Sequence, residues 1–390
     1  MGSANRQLKV ERQLIVVSGY YGFDNLGDEA ILEELIGELS EFVDKQNIVI
    51  LSQNPEVTAA RYGVRAQDRW QLADIASLLS QTRLFISGGG GLFQDTESVK
   101  SVIYYGGLVS MARALGAKVL VYAQGIGPIR STLGKYLTRT SLALSHALTV
   151  RDAESVQLLS GWGLSASLTG DPVWLLSAEQ LPESARKFIA DLRKENKGKK
   201  LVGLSLRQGG GFDHGHIEML AKSMKEAGLT KNHIIVPIPL QTAQDIKPLE
   251  DFVSTWTALG GKIASPHLGE LQKPSQWLKL IGSLDLVVGM RLHSLIMALS
   301  SGVPCIGIAY DPKVTNVLDK FAQPNLPYVR GEKPKDEDAL AWQKTLAQTT
   351  SAQGDKAARK TIEEKLKEVR EGATLNINAL GHFLSQVNSK

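Results

Sequence analysis

Leu14-Ile-Val-Val-Ser-Gly-Tyr-Tyr-Gly-Phe-Asp-Asn-Leu-Gly-Asp28 opens with a β-branched apolar run, breaks at glycine and leads into a helical pattern. Ile31, Leu32, Leu35, Ile36 and Leu39 fall on one helical face. Asp28 and Glu29 lie in the first turn, where the helix dipole favours negative charge. Strand, glycine turn and helix form the repeating unit of a parallel sheet, and the rhythm recurs. Ile48–Leu51, Leu84–Ser87, Val119–Ala123 and Ala147–Val150 read as further strands. Continuous apolar strands alternating with helices predict a parallel sheet covered on both faces.

The rhythm breaks between Leu176 and Lys200, in a segment ending with the polar run Lys194-Glu-Asn-Lys-Gly-Lys-Lys200. It restarts with the strand Leu201–Leu206, a glycine loop at Gly209–Gly211 and a helix near Ile217–Glu226. Further strands are expected at Ile234–Pro237, Leu284–Val288 and Cys305–Ala309. The sequence therefore predicts two α/β domains, residues 1–178 and 201–333, joined by a connector at 179–200 and followed by a helical region at 334–390. Within that region Lys356–Arg370 carries six basic and three acidic residues, the pattern of a solvated helix face.

Composition narrows the function classes. The 390 residues are 43% apolar, 6% aromatic and 22% charged, ordinary globular proportions that exclude disorder and a disulfide scaffold. Lys and Arg number 44 against 40 Asp and Glu, a net charge of only +4 with no dense basic block, which argues against nucleic-acid binding. The single cysteine, Cys305, sits in an apolar run, as expected of a reducing compartment. The polar stretch Met1–Glu11 has no signal-peptide core, and no apolar run approaches the roughly 20 residues of a spanning helix. A cytoplasmic protein is expected, with peripheral contact at the inner face of the membrane left open. No His, Cys and carboxylate cluster has metal-ligand spacing, so no metal is expected.

In open α/β sheets ligands bind beyond the carboxyl ends of the strands. Gly19–Asp28 supplies Asn25 and Asp28 there, with glycine spacing unlike a dinucleotide fingerprint and no Walker lysine. Ser87-Gly-Gly-Gly-Gly-Leu-Phe-Gln-Asp95 places four glycines after a strand. Something must approach that backbone closely, and a phosphate or sugar is expected at Gly88, Gly89 and Gly90, with Gln94 and Asp95 as hydroxyl-binding groups. Arg151 ends the strand Ala147–Val150. The most informative stretch is Leu284-Asp-Leu-Val-Val-Gly-Met-Arg-Leu-His-Ser294, a strand running into a helix with Arg291, His293 and Ser294 at its start. A cation there is unfavourable unless an anion is bound, and an imidazole so placed suits proton transfer. Arg207 and Lys313 also follow strands. Together these cations argue for a small, multiply charged anion resembling a phosphorylated carboxylate.

Taken in order, Gly19-Tyr-Tyr-Gly-Phe-Asp-Asn-Leu-Gly-Asp-Glu-Ala-Ile-Leu32, Ser87–Asp95, Gly289-Met-Arg-Leu-His-Ser294 and Tyr310-Asp-Pro-Lys313 resemble the polysaccharide pyruvyltransferase family, and within it the cell-surface-anchoring CsaB type. The resemblance spans roughly residues 14–330. It implies a GT-B-like fold of two Rossmann-type domains facing across a cleft. It implies transfer of the enolpyruvyl group of phosphoenolpyruvate to two hydroxyls of a sugar, forming a pyruvate ketal and releasing phosphate, with no cofactor. It assigns Arg151, His293 and Lys313 to the phosphoenolpyruvate site; Arg207 and Arg291 are added from position. The N-terminal domain would then hold the glycan acceptor, an N-acetylmannosamine-type sugar on a lipid carrier, and the C-terminal domain the donor. Oligomeric state is left open.

Two rivals remain. A nucleotide-sugar-dependent GT-B glycosyltransferase of cell-envelope glycan synthesis would use the same glycine loops and cations for a diphosphate, with Asp311 on the ribose. A non-catalytic glycan binder would stack sugars on Tyr20, Tyr21, Phe23 or Trp174.

Overall fold

The apolar runs form strands because each is buried on both faces. In the computed structural model, which describes residues 13–96, 98–265 and 268–388, β2 is buried at every position and β1 at all but its first. The first sheet contains β1 (Leu14–Ser18), β2 (Ile48–Ser52), β3 (Arg65–Asp68), β4 (Thr82–Ser87), β5 (Lys118–Gln124), β6 (Ala147–Val150) and β7 (Ser167–Leu168). Their order is β3-β2-β1-β4-β5-β6-β7. The second contains β8 (Lys200–Ser205), β9 (His233–Pro237), β10 (Lys262–Ile263), β11 (Leu286–Gly289), β12 (Cys305–Ile308) and β13 (Asn325–Leu326), in the order β10-β9-β8-β11-β12-β13. Every pairing is parallel. The expected α/β class, two parallel-sheet domains, is therefore observed. Each order reverses once, between β1 and β4 and between β8 and β11, and ligands of open α/β sheets bind at such switch points.

The described chain divides into two compact units. The first takes residues up to Phe23, Glu34–Pro172 and those from Gly372 onward; the second takes Asp24–Glu33 and Val173–Glu371. The start of the first helix, Leu26–Ser40, thus clusters with the second sheet. Leu26 N donates to Leu240 O at 2.8 Å, and the Glu33 carboxylate accepts from Ser275 N at 3.0 Å and Ser275 Oγ at 2.7 Å. The segment expected to be a connector contains the helix Glu183–Glu195. The charged stretch Lys356–Arg370 lies within the long helix Ala352–Asn388. From Gly372 onward that helix completes the first unit. Asn376 Nδ2 donates to Gly170 O at 2.8 Å, His146 and Phe383 rings lie 6.3 Å apart, and Leu380 and Leu384 are buried. A Cβ on Gly170 would come within 2.8 Å of the Ala373 backbone.

Each unit has its own apolar core, one around Val16, Phe85, Val109 and Val121, the other around Leu204, Phe252, Trp256 and Val288. Burial pushes the Cys305 thiol well above its ordinary range, which leaves it inert. No described helix is long and apolar enough to cross a membrane.

One core group titrates. Glu38 is buried and accepts a hydrogen bond from Tyr122 Oη at 2.6 Å. Burial raises its pKa from 4.5 to about 8, the tyrosine bond pulls it partly back, and Glu34 and Glu41 push it up. Folding therefore retains a proton that the unfolded chain releases above pH 4.5, so this group's contribution to stability falls as pH rises from 4.5 to about 8 and is flat beyond. The loss is on the order of a few kcal/mol. Glu38→Gln keeps an acceptor for Tyr122 without the charge. Its Tm should exceed that of the wild type by a margin that grows from pH 5 to pH 8.5, in thermal melts across that range. A margin independent of pH rules the assignment out.

Candidate functional site

In the second unit the switch point lies between β8 and β11. Past β11 the chain continues the ladder, Met290 N donating to Ser205 O at 2.8 Å, and then enters the helix Leu292–Ser300 with Arg291 at its N-cap. Ser294 is fully buried, and its hydroxyl donates to Arg291 O at 2.6 Å, closing that turn. Gly289 permits it, since a Cβ there would stand 2.7 Å from Ser294 Oγ. Ser294, expected to touch substrate, has its hydroxyl in this turn.

Arg291 is also held within the fold. Its Nη2 lies 2.5 Å from Asp245 Oδ1 and donates to Gln241 Oε1 and Gln244 Oε1, each at 3.1 Å. Its Nε reaches both Asp245 oxygens, at 3.1 and 3.2 Å. The anion that a cation at this helix start requires is therefore Asp245, itself buried and accepting from Leu240 N and Gln241 N at 2.9 Å each. The loop that Asp245 fixes receives the start of the first helix: Asn25 bridges Gln241, and Leu26 N binds Leu240 O. Asn25 Oδ1 accepts from Gly27 N at 3.2 Å, and its amide donates to Asp28 Oδ2 at 2.5 Å. Gly27 then lies against the His293 imidazole. A Cβ on Gly27 would stand 2.2 Å from His293 Nδ1. Arg291 and Asp245 thus form a brace that seats Asn25–Asp28 beside His293.

Arg207, just past β8, has different surroundings. Its guanidinium donates to Tyr310 Oη at 2.8 Å, Gln244 Oε1 at 3.1 Å and Gln208 O at 3.3 Å, and lies 4.9 Å from the Tyr310 ring centroid. All three acceptors are neutral, and no described carboxylate pairs with it. Gln244 Oε1 links it directly to Arg291. Lys313 follows Tyr310 as the second residue of the helix Pro312–Lys320, whose N-cap Asp311 accepts from Lys313 N at 2.9 Å. Arg207, His293 with Arg291, and Lys313 accordingly leave the carboxyl ends of β8, β11 and β12, three adjacent strands.

The other sequence-derived residues belong to the first unit. Arg151 makes a buried ion pair with Asp171 at 2.6 Å, and Gly125 gives it room. The close approach demanded by the glycines is made by the protein itself. The buried Tyr21 side chain would meet a Cβ on Gly19 at 2.2 Å with its ring and a Cβ on Gly88 at 2.2 Å with its hydroxyl. Gln124 Nε2 donates to Gly88 O, Gly90 O accepts from Gly125 N at 2.8 Å, and Gly90 has φ +110°. Gly88, where a sugar or phosphate is expected, is packed by Tyr21 and Gln124, while Gly90, beyond Gly89, pairs its backbone with Gly125. Asp95, expected to bind a hydroxyl, accepts from Arg130 N at 2.6 Å, Ser131 N at 2.8 Å and Ser131 Oγ at 2.5 Å. Desolvation raises its pKa, but these bonds outweigh it and hold the carboxyl below its usual range. Gln94 is half-buried, its carbonyl accepting from Ser101 Oγ at 2.8 Å. Tyr21 and Trp174 are both buried, Trp174 against Phe321, so neither offers a stacking surface.

Sequence reasoning missed Gln241, Gln244 and Asp245. A signal existed: polar residues and a carboxylate follow β9 at a helix start.

Residues 25–312 match the sequence model of the polysaccharide pyruvyl transferase family. The chain belongs to this family. Among curated proteins none matches. Among solved structures, UDP-GlcNAc 2-epimerase from Neisseria meningitidis bound to UDP-GlcNAc is 13% identical at a TM-score of 0.63, covering 94% of this chain and 99% of that one. HepE from Anabaena in complex with UDP is 13% identical at 0.60, covering 96% and 100%. A glycosyltransferase from Rickettsia africae is 11% identical at 0.57, covering 96% and 98%. These neighbours share the GT-B-like fold; at such identity the likeness extends no further.

Proposed function

We propose that this pyruvyltransferase uses phosphoenolpyruvate as donor and forms a ketal on two hydroxyls of one sugar of a cell-surface polysaccharide. The observation that carries this reading is Arg207, a guanidinium without a described carboxylate partner at the switch point of the second sheet, tied through Gln244 to Arg291 at the N-cap of the helix that carries His293. A small polyanion supplies the missing charge, and an imidazole beside it supplies proton transfer. Arg207 and Lys313 hold the donor's carboxylate and phosphate. The start of the helix Leu292–Ser300, which has no side-chain cap, favours the departing phosphate. Arg151, which the resemblance also assigns to the donor, belongs to the first unit and pairs there with Asp171.

The chemistry balances as follows. One sugar hydroxyl adds to the enol carbon while the methylene carbon gains a proton to become methyl. The C–O bond to phosphate breaks, leaving an oxocarbenium-like carbon. The second hydroxyl closes on that carbon, and its proton leaves with phosphate. His293 moves the first proton. Following the CsaB type that the motifs resemble, the acceptor is an N-acetylmannosamine-type sugar on a lipid carrier, modified at the inner face of the cytoplasmic membrane.

Thermal shift with phosphoenolpyruvate, UDP, GDP and inorganic phosphate tests the donor, on wild type and Lys313→Ala. A ligand at 100 times its Kd adds about 2.7 kcal/mol of stability, a readily visible rise in Tm. Stabilisation by phosphoenolpyruvate, lost in Lys313→Ala, is expected. Stabilisation by a nucleoside diphosphate in its place makes nucleotide-sugar glycosyl transfer the better reading.

A further inference from the structure

Five aromatic rings, Tyr20, Phe23, Trp70, Tyr104 and Tyr105, gather in the first unit near the carboxyl ends of β1, β2 and β3. Tyr20 and Phe23 stack at 4.2 Å and 5°, Trp70 tilts against Tyr104 at 5.3 Å, and Tyr104 meets Tyr105 edge-on at 5.1 Å. At their centre is Arg69, only 3% exposed, with its guanidinium 4.6 Å from the ring centroid of Tyr104, 4.9 Å from that of Phe23 and 5.2 Å from that of Trp70. Arg69 donates to Gly19 O at 2.7 Å and to Tyr105 Oη at 3.1 Å, while its buried Nε has no partner. No described carboxylate pairs with it. An arginine buried in this way rests on the π faces around it and fixes the rings in place.

The cluster is open on one side. Trp70 is 56% exposed, although its backbone N donates to Asp68 Oδ1 at 2.8 Å and its indole N–H donates to Gln53 Oε1 at 2.6 Å. A large indole held by two hydrogen bonds yet left facing solvent, with an amide and a carboxylate at its edge, matches a pyranose. One face of such a sugar is C–H and its rim is hydroxyl. The uncompensated charge of Arg69 behind the rings favours that oxygen-rich rim over an alkyl chain. We infer that the Trp70, Tyr104, Phe23 and Tyr20 rings form a saccharide-binding subsite that seats a sugar of the acceptor polysaccharide. Calling that sugar the acceptor rests on the pyruvyl-transfer reading. Arg69 is a positioning residue, keeping the platform preformed so that little ordering is needed on binding.

The test is saturation-transfer NMR on the full chain with the methyl glycosides of glucose, galactose, mannose and N-acetylmannosamine. Wild type, Trp70→Phe and Trp70→Ala are compared, and phosphoenolpyruvate thermal shift is run on the same samples. At least one glycoside should receive transfer in the wild type, keep it in Trp70→Phe and bind about tenfold more weakly to Trp70→Ala. No Trp70-dependent signal from any glycoside overturns the subsite, as does loss in Trp70→Ala of binding to phosphatidylcholine–phosphatidylglycerol vesicles alone. If phosphoenolpyruvate stabilises while no glycoside depends on Trp70, the donor reading stands and the subsite falls. If a glycoside depends on Trp70 and phosphoenolpyruvate has no effect, the subsite stands and pyruvyl transfer falls.

Discussion

Replacing His293 by glutamine should lower kcat about 10²–10⁴-fold, the range that a positioned acid–base group contributes. Glutamine fills nearly the same space and retains a hydrogen-bonding end, so the helix Leu292–Ser300 should be kept and Tm should move little. The measurement is phosphate release from phosphoenolpyruvate in the presence of acceptor, with a melting curve of the same preparation. A variant retaining more than about a tenth of wild-type kcat would remove His293 from proton transfer. Unchanged phosphoenolpyruvate binding beside a collapsed kcat would assign it to the chemical step.

The second large effect comes from a residue with no chemistry of its own. Gly27 sits in the helix Leu26–Ser40, where alanine is favoured over glycine by up to about 1 kcal/mol. On helix propensity alone Gly27→Ala should stabilise. Yet its Cβ would stand 2.2 Å from Nδ1 of His293, a distance no packed atoms tolerate, so the imidazole must shift. A displacement near 1 Å can reduce turnover about 10²-fold. We expect Gly27→Ala to melt within a few degrees of wild type and to lose activity on that scale. A variant with more than half of wild-type kcat would mean that the imidazole's present seat is not its working one.

The strands were legible because the central ones bury both faces. Leu14–Ser18 and Ala147–Val150 are found with the expected bounds, and β2, β4, β5, β8, β9, β11 and β12 within about two residues. The strands that were missed are β3, with its polar Arg65-Ala-Gln-Asp68, and the two-residue β7, β10 and β13. Each exists through pairing with a buried neighbour, which leaves no apolar period to read.

The site was legible in part for the same reason. A cation at a strand end is visible in sequence, and Arg207, His293 and Lys313 do leave neighbouring strands of the second sheet. What answers each charge is not visible. Asp245 neutralises Arg291 and Asp171 neutralises Arg151, and both pairings come from the tertiary fold. The glycines carried a true message with the sender unnamed: a side chain does press on Gly19 and Gly88, and it is Tyr21. The union of Asn25–Asp28 with the second sheet has no local signature at all, since it depends on contacts with Gln241 and His293 far along the chain.

The helix that runs past Gly372 bears on how the polypeptide matures at the ribosome. Val16, Phe85 and Val121 emerge early, but the backbone of Gly170 meets Ala373, and Leu380 and Leu384 are buried only in the finished unit. The second unit's sheet is delivered in full between those two moments. A nascent chain must therefore keep its earliest hydrophobic surface partly uncovered while a later sheet assembles, the interval in which misassembly and chaperone capture compete with folding.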